Sequence, residues 1–398
     1  MKSSATPASV PATALQRRAL SFVLLMGVVS LLADMVYEGG RSISGPYLAL
    51  LGASGTVVGL AAGAGELIAH GMRLVFGYLS DRTRRYWAFT IAGYALTALV
   101  VPALALAGNW HVAVVFLTLE RISKALRSPA KDTLLSYATK SIGHGKGFGL
   151  HEALDQVGAV AAPLLLAAVV AWQGNYRVAF ALLLIPGMLT IVTLLVARAR
   201  FPQPADLAGL TPALTTRGFD RRFWLYLVSV GLIAAGFADF PLIAFHLERT
   251  AVMPAAWIPA LYALAMAVDA GAALLFGALF DRIGYGALLI AALLSTFFAP
   301  LAFAGNALLA VCGMVLWGTG LGAQESILRA AVAALAPVER RGAAYGLFNT
   351  GYGLSWFAGS AVLGLLYDIS LPALIAVSVG LQALAVVMLI IIARQRAR

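Results

Sequence analysis

Charged side chains make up only 11% of the 398 residues, where a soluble domain carries about 25%. That shortage excludes an ordinary water-soluble globule, because most of the chain must face lipid or other apolar helices. Cysteine is almost missing as well. Cys312 stands alone, so no intramolecular disulfide can form. No His-Glu-x-x-His pair occurs and no Gly-x4-Gly-Lys-Ser/Thr loop, which argues against a zinc peptidase and against ATP hydrolysis. No Ser-His-Asp set can be assigned from spacing, so an enzyme is not expected. His70 and His151 each lie near a carboxylate, yet neither has a second histidine at metal-ligand spacing, and no metal site or cofactor is expected. Residues 1–16 lack the basic start and short apolar core of a cleavable signal and read as a cytoplasmic tail. Acidic residues are outnumbered 17 to 28, for a formal charge of +11. In a soluble protein that balance would suggest nucleic acid. Here the cations gather in short loops and no recognised basic module is present, so nucleic acid is not an expected partner.

What the chain has instead is apolar length, with 61% hydrophobic residues. A membrane crossing takes about 20 apolar residues, and longer runs are accommodated by tilt. The pattern predicts spans at 20–49, 55–79, 87–107, 111–136, 147–172 and 176–199. A second set follows at 221–248, 256–280, 285–304, 306–335, 342–367 and 372–394. The expected fold is therefore all-α integral membrane, with twelve helices in two sets of six. Pro202, Pro204, Pro212 and a Thr-rich stretch mark residues 200–220 as a linker. The expected organisation is a tail at 1–19, a first half at 20–199, the linker, a second half at 221–394 and a tail at 395–398. Arg17, Arg18, Arg82, Arg84, Arg85, Arg198, Arg200, Arg221, Arg222 and Arg282 all fall in tails or even-numbered loops. Positive residues stay inside, so both termini and the linker are expected to be cytoplasmic, in a bacterial inner membrane.

Charges within membrane helices are costly and usually face the bundle interior or a watery cavity. Asp34, Glu38 and Arg41 stand at i, i+4 and i+7 on the first span, within one arc of a 3.6-residue helix. Glu66, His70 and Arg73 repeat that spacing on the second. Glu120, Lys124, Arg127 and Lys131 do so on the fourth, and His151, Glu152 and Asp155 open the fifth. Three stripes at one spacing predict a shared cleft. Two carboxylates a turn apart, away from water, suit proton binding and release, which makes Asp34, Glu38, Asp155 and Glu66 the proton-coupling candidates. The other reading is a permanent salt bridge from Asp34 or Glu38 to Arg41 or to a cation of the fourth span. Arg41, Lys124, Arg127 and His151 are the first-half candidates for the substrate wall. Arg127 either meets a substrate anion or, like Lys131, snorkels to the cytoplasmic surface. Arg121 and Asp132 lie off the stripe and read as local ion pairs. The second half is poorer in charge, with Asp239, Asp269, Gln324, Glu325 and Asn349 as its main polar groups. Asp269 could hold a cationic group beside Met266 and Tyr262, and Glu325 completes that wall.

The two halves also share a loop pattern. Leu74, Phe76, Gly77, Leu79, Asp81 and Arg82 recur as Leu274, Phe276, Gly277, Leu279, Asp281 and Arg282. Phe148, Gly149 and Leu150 are echoed by Tyr345, Gly346 and Leu347. The Gly, three residues, Asp-Arg pattern resembles the loop after the second helix of major facilitator superfamily transporters. Arg84 replaces a glycine of that motif in the first copy, and Tyr285 replaces an arginine in the second. The resemblance spans roughly Leu20 to Ala393. Asp34 and Glu38, the 124–132 stretch and the 147–155 stretch look like uncharacterised bacterial members with proton-antiporter character. The resemblance implies alternating access without a cofactor, and a cytoplasmic latch built from Gly77, Asp81, Arg82, Arg85, Asp281 and Arg282. Asp81 would meet the start of the eleventh span near 342–345, and Asp281 the fifth near 145–148. The chain departs from drug-antiporter signatures at Ala125 and at Ala162 before Pro163.

Two such halves place a solute site between them near the midplane. The expected function is secondary transport of a small amphipathic or organic-ion solute, proton-coupled and outward by antiport, by a monomer in the lipid bilayer. The alternatives are proton-coupled uptake of an acidic metabolite, favoured by the cations of the fourth span, and a lipid or lysolipid translocator.

Overall fold

The computed structural model describes residues 12–142, 144–202, 220–335 and 341–394. The expected tails and most of the expected linker, at 1–11, 203–219 and 395–398, lie outside the described residues. The described chain is helical: α1 (Ala12–Leu50), α2 (Gly55–Thr83), α3 (Tyr86–Ala103) with a 3-10 turn at Leu104–Leu106, α4 (Trp110–Ile142) and α5 (His144–Gln173) come first. They are followed by α6 (Tyr176–Leu182), α7 (Leu184–Arg200), α8 (Arg221–Gly236), α9 (Phe240–Thr250) and α10 (Trp257–Ile283). The remainder are α11 (Tyr285–Ser295), α12 (Phe298–Ala302), α13 (Ala307–Leu335), α14 (Arg341–Ile369) and α15 (Leu371–Arg394).

These helices make the twelve expected passes, three of them interrupted. The sixth breaks between α6 and α7, where Pro186 cannot donate to Leu182. The ninth breaks between α11 and α12. There Ser295 and Thr296 bond back to Ala291 and Ala292, and Pro300 removes the donor to Thr296. The seventh breaks at 237–239. Asp239 caps α9 by accepting from the Phe240 amide at 2.9 Å, with Pro241 in the first turn. In lipid, every freed backbone group must find a partner within the protein. Here Trp317 Nε1 donates to Ala238 O at 2.9 Å, Ser378 Oγ to Gly236 O at 2.6 Å and Gln382 Nε2 to Ile233 O at 3.3 Å. Three side chains from α13 and α15 thus stabilise the break.

Among the described residues, nine passes are long and apolar enough to cross a membrane. The second, fourth and eleventh (α2, α4 and α14) are not among them, and all three send polar side chains inward.

The apolar core is shared at one end of the bundle and divided at the other. At the end away from the termini, one cluster joins Tyr47, Val58 and Phe180 to Phe245, Trp317 and Leu363. At the termini end, Phe22, Met26 and Leu134 form a core of N-terminal helices only. Phe223, Leu288 and Ile327 form another of C-terminal helices only. A cleft between two separate cores follows from that division.

The closed end depends on close backbone approach. A methyl on Gly59 of α2 would lie 2.4 Å from Ser360 O and 2.7 Å from Gly364 Cα of α14. Beyond this contact, Asp368 at the end of α14 accepts from the amides of Gly55 and Thr56 at 2.9 and 2.7 Å and from Thr56 Oγ1 at 2.6 Å. A carboxylate from one set of helices thus caps a helix of the other, where the dipole favours it. Tyr176 OH donates to Glu248 Oε2 at 2.8 Å on the same end. Gly59→Leu and Asp368→Ala are each expected to loosen this end. The measurement is thiol labelling of Ser360→Cys with Cys312 replaced by Ser: labelling rises several-fold with either change, and an unchanged rate would show that these contacts do not hold the end shut.

Candidate functional site

Where the two cores part, a cavity of about 230 Å³ lies between α1, α2, α4 and α5 on one side and α10, α13 and α14 on the other. Seven carboxylates reach it, from Asp34, Glu38, Glu66, Glu152, Asp155, Asp269 and Glu325, against three Lys or Arg side chains, from Arg41, Arg73 and Lys124. The chain is basic overall, yet its central cavity is acidic.

Two polar contacts of α1 cross the cleft. Arg41 Nη2 meets Asp239 Oδ1 at 2.6 Å, so the residue that caps α9 also carries an interhelical ion pair. Tyr262 OH donates to Glu38 Oε2 at 2.5 Å. The Arg41 arm of the other reading, a permanent salt bridge to Asp34 or Glu38, is not what forms, because Arg41 turns to the break in the seventh pass.

Asp34 has a different neighbour. A methyl on Gly158 would lie 2.2 Å from Leu31 O, so α5 rests directly on α1 one turn before Asp34. Asp155, one turn before Gly158, lines the same cavity as Asp34, and the two carboxyl groups act on each other electrostatically.

The cations of the fourth span do not form the expected stripe along the cleft. Lys124 lies 3.8 Å from the centre of the Tyr37 ring, beside the cavity. Arg127 turns to α3, donating to Thr97 Oγ1 at 2.6 Å and packing on Tyr94. Lys131 points inward to His151 Nε2 at 3.1 Å rather than snorkelling to the surface. Arg121, expected to form a local ion pair, is buried and does so. It meets Glu66 at 2.9 Å and Glu120 at 3.4 Å, and donates to Tyr37 OH. Four-residue spacing put these side chains on one arc, but the neighbouring helices offered each a nearer partner.

Residues 20–360 match the sequence model of the Major Facilitator Superfamily. The chain belongs to that superfamily. It is 45% identical over 375 residues to an uncharacterised protein of Mycobacterium tuberculosis, covering 92% of each chain. To an uncharacterised MFS-type transporter of Methanocaldococcus jannaschii it is 28% identical over 367 residues, covering 87% of this chain and 89% of that one. The crystal structure of a point mutant of the nucleoside transporter NupG shares the fold, with a TM-score of 0.75 at 12% identity over 93% of this chain and 99% of that one. This facilitator is accordingly a multi-pass membrane transporter of a small molecule and not an enzyme.

Of the residues singled out in the sequence, Asp34, Glu38, Glu66, Asp155, Arg41, Lys124, Asp269 and Glu325 line the facilitator's cavity. Arg127, His151 and Tyr262 stand behind its wall, each held by the contact already described. The latch residues Asp81, Arg82, Arg85, Asp281 and Arg282 are exposed at the termini end, with Gly77 half-buried. Asp81 accepts from Tyr86 OH at 3.1 Å. The side chains of its expected partners at 342–343, and of those of Asp281 at 145–148, lie outside the described residues. Arg84, where the family motif has glycine, takes the left-handed φ of 54° that ends α2, and Gly284 has φ 57° at the matching turn. The two turns share a positive φ but not ψ, which is 20° at Arg84 and −129° at Gly284, and the left-handed arginine costs about 1–2 kcal/mol.

Sequence reasoning missed Tyr37 and Gln156 and gave Asp239 and Gln324 no role. It also passed over Phe348, Tyr352 and Trp356, whose four-residue spacing on α14 was readable. The Asp239-x-Pro241 pair carried a helix-start signal inside an apolar run.

Breaking a buried ion pair by removing one partner costs about 3–5 kcal/mol. Arg41→Leu is therefore expected to lower the thermal midpoint of the detergent-purified protein by several degrees, and adding Asp239→Asn to recover most of the loss. If the double variant is no more stable than the single one, the pair does not carry this stability.

Proposed function

We propose that this facilitator exports a small organic cation in exchange for protons, by rocking the helices of 20–199 against those of 221–394. The proximity of the Asp34 and Asp155 carboxyls on the cavity wall carries this reading. With water present, seven carboxylates can remain charged around one cavity. As the cleft closes, each uncompensated charge costs several kcal/mol. A proton shared between Asp34 and Asp155 removes one such charge, and a bound organic cation offsets it equally well. Either occupant permits closure, and the empty site resists it. Protons arriving from the acidic outer face would then drive the cation outward.

The charge balance of the wall favours this over uptake of an acidic metabolite. Of the fourth-span cations on which that alternative rested, Arg127 is turned to Tyr94 and Lys131 to His151, which leaves Lys124 on the cavity wall. The polar lining gives no support to a lipid substrate. The facilitator is proposed to work as a monomer in the bacterial inner membrane with both termini cytoplasmic.

Proteoliposomes holding a pH-sensitive dye test the exchange. Organic cations added to one side of the wild type should move protons to that side, and organic anions should not. Asp34→Asn should lower the proton flux at least ten-fold. Proton movement driven by anions, or an unchanged flux in Asp34→Asn, would refute the assignment.

A further inference from the structure

Three buried polar atoms on the C-terminal face of the cavity have no partner within the protein. They are Asp269 Oδ1, Gln324 Nε2 and Trp356 Nε1, and their residues are only 1%, 5% and 4% exposed while lining the cavity. Buried polar groups are nearly always paired, and leaving one unmade costs about 1–3 kcal/mol. The three atoms differ in kind. The carboxylate oxygen needs a donor, whereas the amide and indole nitrogens need an acceptor.

The surrounding structure fixes these groups in place. Gln156 Nε2 lies 3.4 Å from Asp269 Oδ2, which leaves Oδ1 as the unpartnered oxygen of a residue on the cavity wall. Tyr352 OH donates to Gln324 Oε1 at 3.1 Å, so the Gln324 amide presents its nitrogen. Phe348, Tyr352 and Trp356 follow each other at four-residue steps along α14, with ring centres 5.7 and 5.4 Å apart. Among the described residues, the cavity wall contributed by α10, α13 and α14 has no Lys or Arg.

We propose that this face is the recognition subsite for a small amine that bears an oxygen acceptor close to its nitrogen, as an amino alcohol does. The ammonium N–H donates to Asp269 Oδ1 while its charge faces the aromatic rings. The hydroxyl oxygen accepts from Gln324 and Trp356. A quaternary ammonium satisfies the charge and leaves Asp269 Oδ1 without its donor. At about 230 Å³ the cavity falls below the 300–1,000 Å³ of drug-sized pockets, so the occupant is the size of a metabolite. Because Gln156 belongs to α5, an amine on Asp269 also joins the two faces of the cleft. The subsite deepens the cation-export reading and rests on it for the direction of transport alone.

The test compares three probes on the purified full-length protein by thermal shift and fluorescence quenching: 2-amino-1-phenylethanol, 2-phenylethylamine and its N,N,N-trimethyl derivative. The amino alcohol should bind the wild type about ten-fold tighter than either of the others. Trp356→Phe, which keeps a ring in place, should bring the amino alcohol to the level of the plain amine. Asp269→Asn should weaken it by at least ten-fold, with a monodisperse elution profile as the check on folding. Equal binding of all three probes by the wild type, no binding of any, or an unaltered preference in both variants would overturn the subsite. The proton-flux assay separates the two proposals. Cation-driven proton movement that is indifferent to Asp269→Asn and Trp356→Phe refutes the subsite and leaves the exchange standing. Asp269-dependent binding of the amino alcohol without proton movement refutes the exchange and supports the subsite.

Discussion

Charge and backbone polarity kept from water without a partner cost more than almost any packing defect, and the architecture of this facilitator follows from meeting that constraint. The seventh pass breaks at 237–239 because Asp239 can cap the new helix, and because Trp317, Ser378 and Gln382 reach the freed carbonyls. The same Asp239 takes the Arg41 guanidinium. Arg121 is buried because Glu66, Glu120 and Tyr37 surround it. Groups so paired have little freedom to act on a passing solute. Those left over, Asp34 with Asp155 and Asp269 with Gln324 and Trp356, define where chemistry can occur.

This division gives the two faces of the cavity different work. On the N-terminal side, the carboxyls of α1 and α5 on the cavity wall are the proposed proton site. On the C-terminal side, carboxylate, amide and indole groups beside aromatic rings suit recognition. A single apolar cluster holds both sets of helices together at the end away from the termini. At the opposite end each set keeps its own core. The termini end can therefore open and close without unfolding either core, whereas opening the other end parts the shared cluster, as the proposed alternating access requires.

The fold was legible in the sequence because its signals are long and redundant. Apolar runs of spanning length, a duplicated Gly-x3-Asp-Arg loop and loop cations all pointed the same way. The acidic stripe of α1 was equally plain, and Asp34 and Glu38 do line the cavity. What spacing could not show was which partner each charge would choose. Arg121 read as a local ion pair, but helical angle did not show that Glu66 would be a partner, where Gly65 on α2 leaves the arginine side chain room. Arg127 kept its place on the arc and turned away to Tyr94. Helices that are apolar on every side give no usable moment, so the faces that meet across a cleft are settled by packing between distant segments. The interruptions of the sixth and ninth passes were hidden for a related reason, since proline and Ser/Thr within apolar runs break a helix only where the fold can satisfy the freed groups.

The central claim is that proton and organic cation compete to offset the negative charge of one cavity. The most direct measurement is the thermal midpoint of the purified protein with and without an organic cation, at acid and at alkaline pH, for the wild type and Asp34→Asn. A ligand that binds only the folded state raises the midpoint, and at a fixed concentration raises it more the tighter it binds. Competition predicts a larger shift at alkaline pH, where the carboxylates are free of protons, and loss of that pH dependence in Asp34→Asn. A larger shift at acid pH would mean that proton and solute bind together. Stabilisation by lysolipids alone, indifferent to pH, would contradict the account altogether.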